Sequence, residues 1–181
     1  LEHPEKAEGA NNIVIVGGGV VGCETAHWLA NEYGKNVTVL EMLPHFMMGV
    51  CTANRGHLLH YLEKSGVRLY NCTKVKALAK DGVYVEQNQS QTVPDPYNTW
   101  QPLLPPNIPN PMEKAIKEEI VEKKIPADLI VLAMGGKADE TFFFEAGEEH
   151  LAKEIYNIGD SSRAGRVLEA VRGAYHLAVR I

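Results

Sequence analysis

Residues Ile13 to Glu41, IVIVGGGVVGCETAHWLANEYGKNVTVLE, constrain the chain more than any other stretch. Four apolar residues, Ile13 to Val16, read as a buried parallel strand. Gly17-Gly18-Gly19-Val20-Val21-Gly22 follows directly, then a helix-length segment to about Tyr33 and a second apolar run, Val37 to Leu40. This is a βαβ unit with the G-x-G-x-x-G spacing at its first turn. Gly17 permits the tight turn, Gly19 lets backbone approach a pyrophosphate, and Gly22 lets the helix sit close to the sheet. The first helical residues, Val20 and Val21, present free N–H groups and the positive end of the helix dipole to phosphates. Glu41 ends the second strand 19 residues after Gly22. A carboxylate there accepts hydrogen bonds from ribose hydroxyls, so the unit reads as a dinucleotide site.

Net charge is −5, from 18 basic and 23 acidic side chains, which disfavours nucleic acid or an anionic membrane as partner. No apolar run approaches the about 20 residues of a membrane span. Cys23, Cys51 and Cys72 are scattered, with no C-x-x-C pair, so neither zinc nor a redox disulfide is signalled. A sparse, odd cysteine count fits a reducing cytoplasm. The chain opens on Leu1 and ends at Ile181 within a helical pattern, and reads as part of a longer protein.

Residues 1–12 are polar, with Pro4 and Gly9, and read as a linker. The first helix, expected from about Val20 to Asn31, places Val21, Ala26, Leu29 and Ala30 toward the sheet, and Gly34 stops it. Glu24 in the expected first turn either compensates the dipole or contacts the nicotinamide end. Met42 opens an apolar loop, Met42 to Met48, that either flanks an adenine ring or packs on its own. No cation lies between Glu41 and Arg55, and Glu41 repels a 2′-phosphate, so NAD is favoured over NADP.

A second helix is expected over Thr52 to Ser65, with Leu58, Leu59 and Leu62 inward, then a third strand, Val67 to Tyr70. His57 and His60 form an i, i+3 pair beside Tyr61 with no third ligand in view, so no metal site is expected. Lys74 to Leu78 and Val83 to Val85 flank Asp81-Gly82, a hairpin signal. Residues 87–112 hold seven prolines and almost no charge. They form either a disordered insertion or an extended arm docking on another domain or subunit, with Trp100 as anchor. Glu118 to Lys123 reads as an antiparallel return strand, and Asp128 to Gly136 as a buried strand ending in small residues. Phe142 to Phe144 are expected to pack under the following segment. Glu154 to Asp160 reads as a last strand before a helix over Arg166 to Ile181. Asp160 either binds a polyol or ribose hydroxyl or caps the helix.

Taken together, GGGVVGCETAHWLA with VTVLE resembles the NADH-binding half of flavoproteins of the pyridine nucleotide–disulfide oxidoreductase type. ADLIVLAMGG resembles their strand that crosses back toward the FAD domain, and IYNIGDSSRAGRVLEAVRGAYHLAVRI resembles their terminal FAD motif. The wording after Gly159-Asp160 is most similar to the 2-enoate reductase and 2,4-dienoyl-CoA reductase family. The resemblance implies a three-layer Rossmann-like α/β fold with a small β meander. It implies an NADH-binding domain over 13–150, with the proline-rich insertion, and a C-terminal segment of an FAD-binding domain over 151–181. Gly17, Gly19 and Gly22 would then hold the NADH pyrophosphate and Glu41 its adenosine ribose, with Ala133, Met134 and Gly135 near the dinucleotides and Gly159, Asp160 and Val167 toward FAD. In the parent, hydride would pass from NADH to FAD, then electrons through a 4Fe-4S cluster to FMN on a barrel domain, for reduction of an activated C=C bond. This chain has one glycine fingerprint, no cysteine cluster, and Lys137-Ala138-Asp139 where the family has Pro-Asn. The partners implied are the remaining FAD and FMN-barrel domains, with a homo-oligomer compatible. No catalytic acid, base or nucleophile is assigned here. The rivals are the NADH domain of an amine dehydrogenase or NADH oxidase, and a non-catalytic nucleotide-sensing module.

Overall fold

The computed structural model describes residues 5–100, 104 and 107–181. They fall into two compact units, divided in sequence between Met134 and Gly135. In chain order the elements are α1 (Glu5–Glu8), β1 (Asn12–Val16), α2 (Val20–Tyr33), β2 (Asn36–Leu40), α3 (Thr52–Lys64), β3 (Arg68–Tyr70), β4 (Thr73–Ala79), β5 (Gly82–Asn88), β6 (Ile120–Pro126), β7 (Leu129–Leu132), α4 (Thr141–Glu148) and α5 (Val167–Ala178).

The first unit is a three-layer α/β fold. Its parallel sheet runs β3-β2-β1-β7, and β4-β5-β6 form a separate antiparallel sheet. Strand alternation assigns the layers. Ile13 and Ile15 of β1 and Val37 and Val39 of β2 join the core that includes Leu29, Leu59 and Leu62 from the helices. Val14 and Leu40 face the other way and pack with Val83, Val85 and Ile125 of the antiparallel sheet. Both faces of β1 and β2 are thus covered, which is why their sequences are continuously apolar. Because β1, β2, β3 and β7 run parallel, their carboxyl ends share one edge of the sheet. Strand order reverses between β2 and β7 around β1, the place where such sheets open a crevice.

The expected helices and strands of this unit form, with corrections. α2 extends to Tyr33 and ends at Gly34, whose φ of +60° is left-handed. It buries Gly22, Cys23, Ala26 and Leu29, while Val21 is 69% exposed rather than turned to the sheet. At 100° per residue the stripe through Cys23 and Ala26 leaves Val21 off the core face. Glu24 is the fifth helical residue, past the first turn in which it was expected. The strand expected over 128–136 is shorter and only half-buried, because β7 has a strand neighbour on one side, β1. The polar opening stretch carries α1, with Ala7 and Ala10 buried in the core.

The proline-rich stretch divides. Gln87 and Asn88 complete β5. Residues 90–99 pack on their own unit, by Tyr97 rather than by Trp100, which is 57% exposed. Tyr97 Oη donates to the Val67 carbonyl at 2.5 Å and accepts from the Leu69 N–H at 3.3 Å. A side chain here stands where a further strand would pair with the edge of β3.

The second unit holds α4, a 3₁₀ turn over Gly159–Ser161, and α5. The segment expected as a strand over Glu154 to Asp160 is not one. Its backbone is extended at Ile158 but among the described residues no neighbour pairs with it. Phe142 and Phe144 are 76% and 58% exposed, against the expectation of packing. Phe142 and Phe144, two positions apart, point to nearly opposite sides of α4, about 200° apart, and cannot share one buried face.

Candidate functional site

The glycine turn sits at the carboxyl end of β1. Gly17 has φ +111°, and a Cβ there would overlap the Ala133 carbonyl, so the turn and the end of β7 are in backbone contact. A Cβ on Gly22 would overlap the Gly17 carbonyl and lie 3.4 Å from Ala133 Cβ. Both glycines are therefore required by the packing of this turn. Gly19 differs. Its φ of −71° and ψ of −177° suit any residue, and a Cβ there would meet nothing within 4 Å. It is the N-cap of α2 without a side-chain cap, so the N–H groups of Val20, Val21 and Gly22 open toward the space above it. Val21 and Met134 lie 69% exposed beside this turn and at the end of β7. An anion approaching along the helix axis meets N–H groups, the dipole's positive end and no side chain from Gly19. That arrangement fits a dinucleotide pyrophosphate.

Glu41 closes one side. Its Oε2 accepts from the Gly18 N–H at 2.8 Å and its Oε1 from the Leu43 N–H at 2.8 Å. These bonds hold the carboxylate against the glycine turn, and each oxygen keeps lone-pair capacity for a ribose hydroxyl. Met42 follows, 68% exposed. Gly18, a variable position of the fingerprint, is as constrained as its neighbours: a Cβ there would overlap the Phe46 ring and come 2.8 Å from Glu41 Cβ. The Gly18 carbonyl accepts from the Met47 N–H at 2.8 Å and from Cys23 Sγ at 3.6 Å. Burial pushes the Cys23 thiol up to about 12, with the Glu41 charge adding to it, so it is a packing group and not a nucleophile.

Sequence reasoning missed Gly18, Phe46 and Arg55. Arg55 is 2% exposed, and burial lowers its pKa. It donates to backbone carbonyls rather than facing the ribose side as a phosphate ligand. The available signal was a lone arginine on the inward stripe of the Leu59–Leu62 helix.

His57 and His60 both meet Tyr61 edge-to-face, at 4.7 and 5.7 Å between ring centroids, and His27 of α2 joins at 5.7 Å. Among the described residues no group of three or more His, Cys, Asp or Glu is arranged to hold a metal ion.

In the second unit, Asp160 lies in the 3₁₀ turn and its Oδ1 accepts from the Gly165 N–H at 3.2 Å, so it ties its own loop. It does not cap α5, whose N-terminus is closed by Arg166 and Glu169. Gly159 has φ +67°, and Val167 is 81% exposed at the start of α5. Gly135, φ +82°, begins this unit.

Residues 1–172 match the family model described as pyridine nucleotide-disulphide oxidoreductase. The chain belongs to the pyridine nucleotide-disulphide oxidoreductase family. Its relatives include an NADH oxidase of Thermoanaerobacter brockii, 27% identical over 93% of this chain and 21% of the relative. A cinnamate reductase of Clostridium sporogenes is 22% identical over 98% of this chain and 22% of its own length. Among solved structures, a 2-naphthoyl-CoA reductase in complex with 2-naphthoyl-CoA superposes with a TM-score of 0.68 at 24% identity, over 94% of this chain and 21% of that one. The oxidoreductase family chain thus spans about a fifth of the length of these relatives. Its fold is the Rossmann-like nucleotide-binding fold of that family.

Proposed function

We propose that this chain binds NADH and presents it to an FAD within a multi-domain flavoprotein oxidoreductase, of the kind that reduces an activated C=C bond. Gly19 carries this reading. Neither its backbone conformation nor its packing requires a glycine, yet it stands at a helix N-terminus facing open space. A bound pyrophosphate supplies the missing reason. In the bound state Gly17, Gly19, Val20, Val21 and Gly22 hold the pyrophosphate. Glu41 accepts from the adenosine ribose, with Met42 beside the adenine. Glu24 lies toward the nicotinamide, and Ala133, Met134 and Gly135 lie near the dinucleotides. The carboxylate of Glu41 repels a 2′-phosphate, which favours NADH over NADPH.

The cofactors supply hydride transfer from NADH to FAD; this chain supplies orientation and electrostatics. Residues 151–181 complete an FAD-binding domain, with Gly159, Asp160 and Val167 on its flavin side. FMN and a 4Fe-4S cluster belong to other domains of the parent, which we place in the cytoplasm. The cinnamate reductase relative favours the C=C reductase reading, and the NADH oxidase relative favours a second, in which the same NADH domain serves an oxidase. Comparing cinnamate with dioxygen as acceptor in the flavin-loaded parent separates the two.

The test is a titration with NADH and with NADPH, followed by nucleotide fluorescence. NADH is expected to bind more tightly than NADPH. Gly19→Val, for which the backbone has room, is expected to leave the fold intact and to weaken NADH by at least about tenfold. Equal NADH affinity in that variant would sink the site; a preference for NADPH would sink the role of Glu41.

A further inference from the structure

Two buried donors join the loop after Glu41 to the proline-bearing segment. Arg55 Nε donates to the Phe46 carbonyl at 2.9 Å, while its Nη1 donates to the carbonyls of Asn98 at 2.9 Å and Thr99 at 3.3 Å. Asn71, 5% exposed just past β3, divides its Nδ2 in the same way, between Pro44 O at 2.7 Å and Pro94 O at 2.8 Å. Each side chain therefore has one acceptor in the 42–50 loop and at least one in residues 94–99.

A buried guanidinium whose described partners are neutral carbonyls is costly to desolvate. Its fixed fork, however, reaches several acceptors in set directions, which an ammonium does not. The decisive acceptor is Phe46 O. It belongs to the peptide group whose N–H, that of Met47, donates to Gly18 O at 2.8 Å. Arg55 holds one end of that peptide and Gly18 the other. Met47 is held in the left-handed region, φ +52°, which a side chain this size adopts only when its surroundings impose it. Gly18 in turn donates to Glu41. A continuous path thus runs from residues 98–99 through Arg55 and the Phe46–Met47 peptide to Gly18 and the Glu41 carboxylate.

We propose that Arg55 is a positioning residue for the adenosine end of the nucleotide site, and that residues 94–99 are the brace it works against. The proposal rests on the NADH-binding reading above. It assigns the proline-bearing segment a role in nucleotide affinity, with Arg55 itself touching no nucleotide.

The purified protein is titrated with NADH and with NMNH, the half that lacks adenosine. Arg55→Lys keeps the charge and loses the fork. It is expected to raise the Kd for NADH about tenfold, as the seated loop becomes a minor conformer, and to leave NMNH unchanged. Tyr97→Phe removes only the hydroxyl that seats the brace on Val67. It is expected to weaken NADH about threefold, and it carries the test if the Arg55 variant does not fold. Unchanged NADH affinity in these variants, or equal losses for NADH and NMNH, would overturn the proposal. Failure of the unsubstituted protein to bind NADH would overturn the NADH reading itself, and this proposal with it.

Discussion

At the scale of residues, three adjacent glycines do three different jobs. Gly17 provides a backbone conformation with φ +111°, Gly18 leaves room for Phe46 and Glu41, and Gly19 leaves space open. The spacing motif anticipates the first and third, because turn and phosphate requirements are local. It is silent on Gly18, whose constraint comes from a ring 28 residues further along the chain. Gly18→Ala is therefore expected to destabilise the fold by about 1–3 kcal/mol through overpacking. The denaturant midpoint reads this directly, and a variant as stable as its parent would show that the Phe46 ring can retreat. Arg55 illustrates the same limit. A helix position three residues from Leu58 and four from Leu59 is legible as inward, but not the carbonyls that meet it.

At the scale of elements, β1 and β7 are joined at both ends. At the carboxyl end Gly17 meets Ala133. At the amino end Asp128 Oδ2 accepts from the N–H groups of Asn11 at 3.0 Å and Asn12 at 2.8 Å. Those bonds, the Asn12 N–H first, hold the Asp128 carboxyl below its ordinary value of 3.8. A carboxyl depressed in the folded state stabilises fully above its unfolded pKa, and the contribution is lost as pH falls through the folded value. The unsubstituted chain is thus expected to lose stability from about pH 4 downward in part through this group. Asp128→Asn should flatten that portion of the stability–pH curve, as measured by urea unfolding at successive pH values. A curve of unchanged shape would assign the acid loss to other carboxylates. The hairpin and the return strand were legible from alternation and Asp81-Gly82, whereas the Glu154 to Asp160 run was misread because a strand needs a partner that local pattern does not reveal.

At the scale of the whole molecule, the two units differ in what they bury. The first has two apolar layers around its parallel sheet. In the second, α5 carries Leu168, Val171 and Tyr175 at i, i+3 and i+7, and they are 51%, 60% and 66% exposed. An apolar stripe at helical spacing is the signature of a packed face. With the FAD-bearing remainder of the proposed parent added, amide exchange across residues 167–178 is expected to slow; exchange unaltered by that addition would remove α5 from the FAD domain. Sequence alone determined the βαβ unit, the glycine turn and the acid at Glu41. Each of these rests on periodicity or spacing within a few tens of residues. Tertiary structure decided which glycine faces open space, which arginine is buried, and that residues 90–99 lie on their own unit. Those properties depend on pairs such as Arg55 with Asn98 or Gly18 with Phe46, which only folding brings within hydrogen-bond or van der Waals reach.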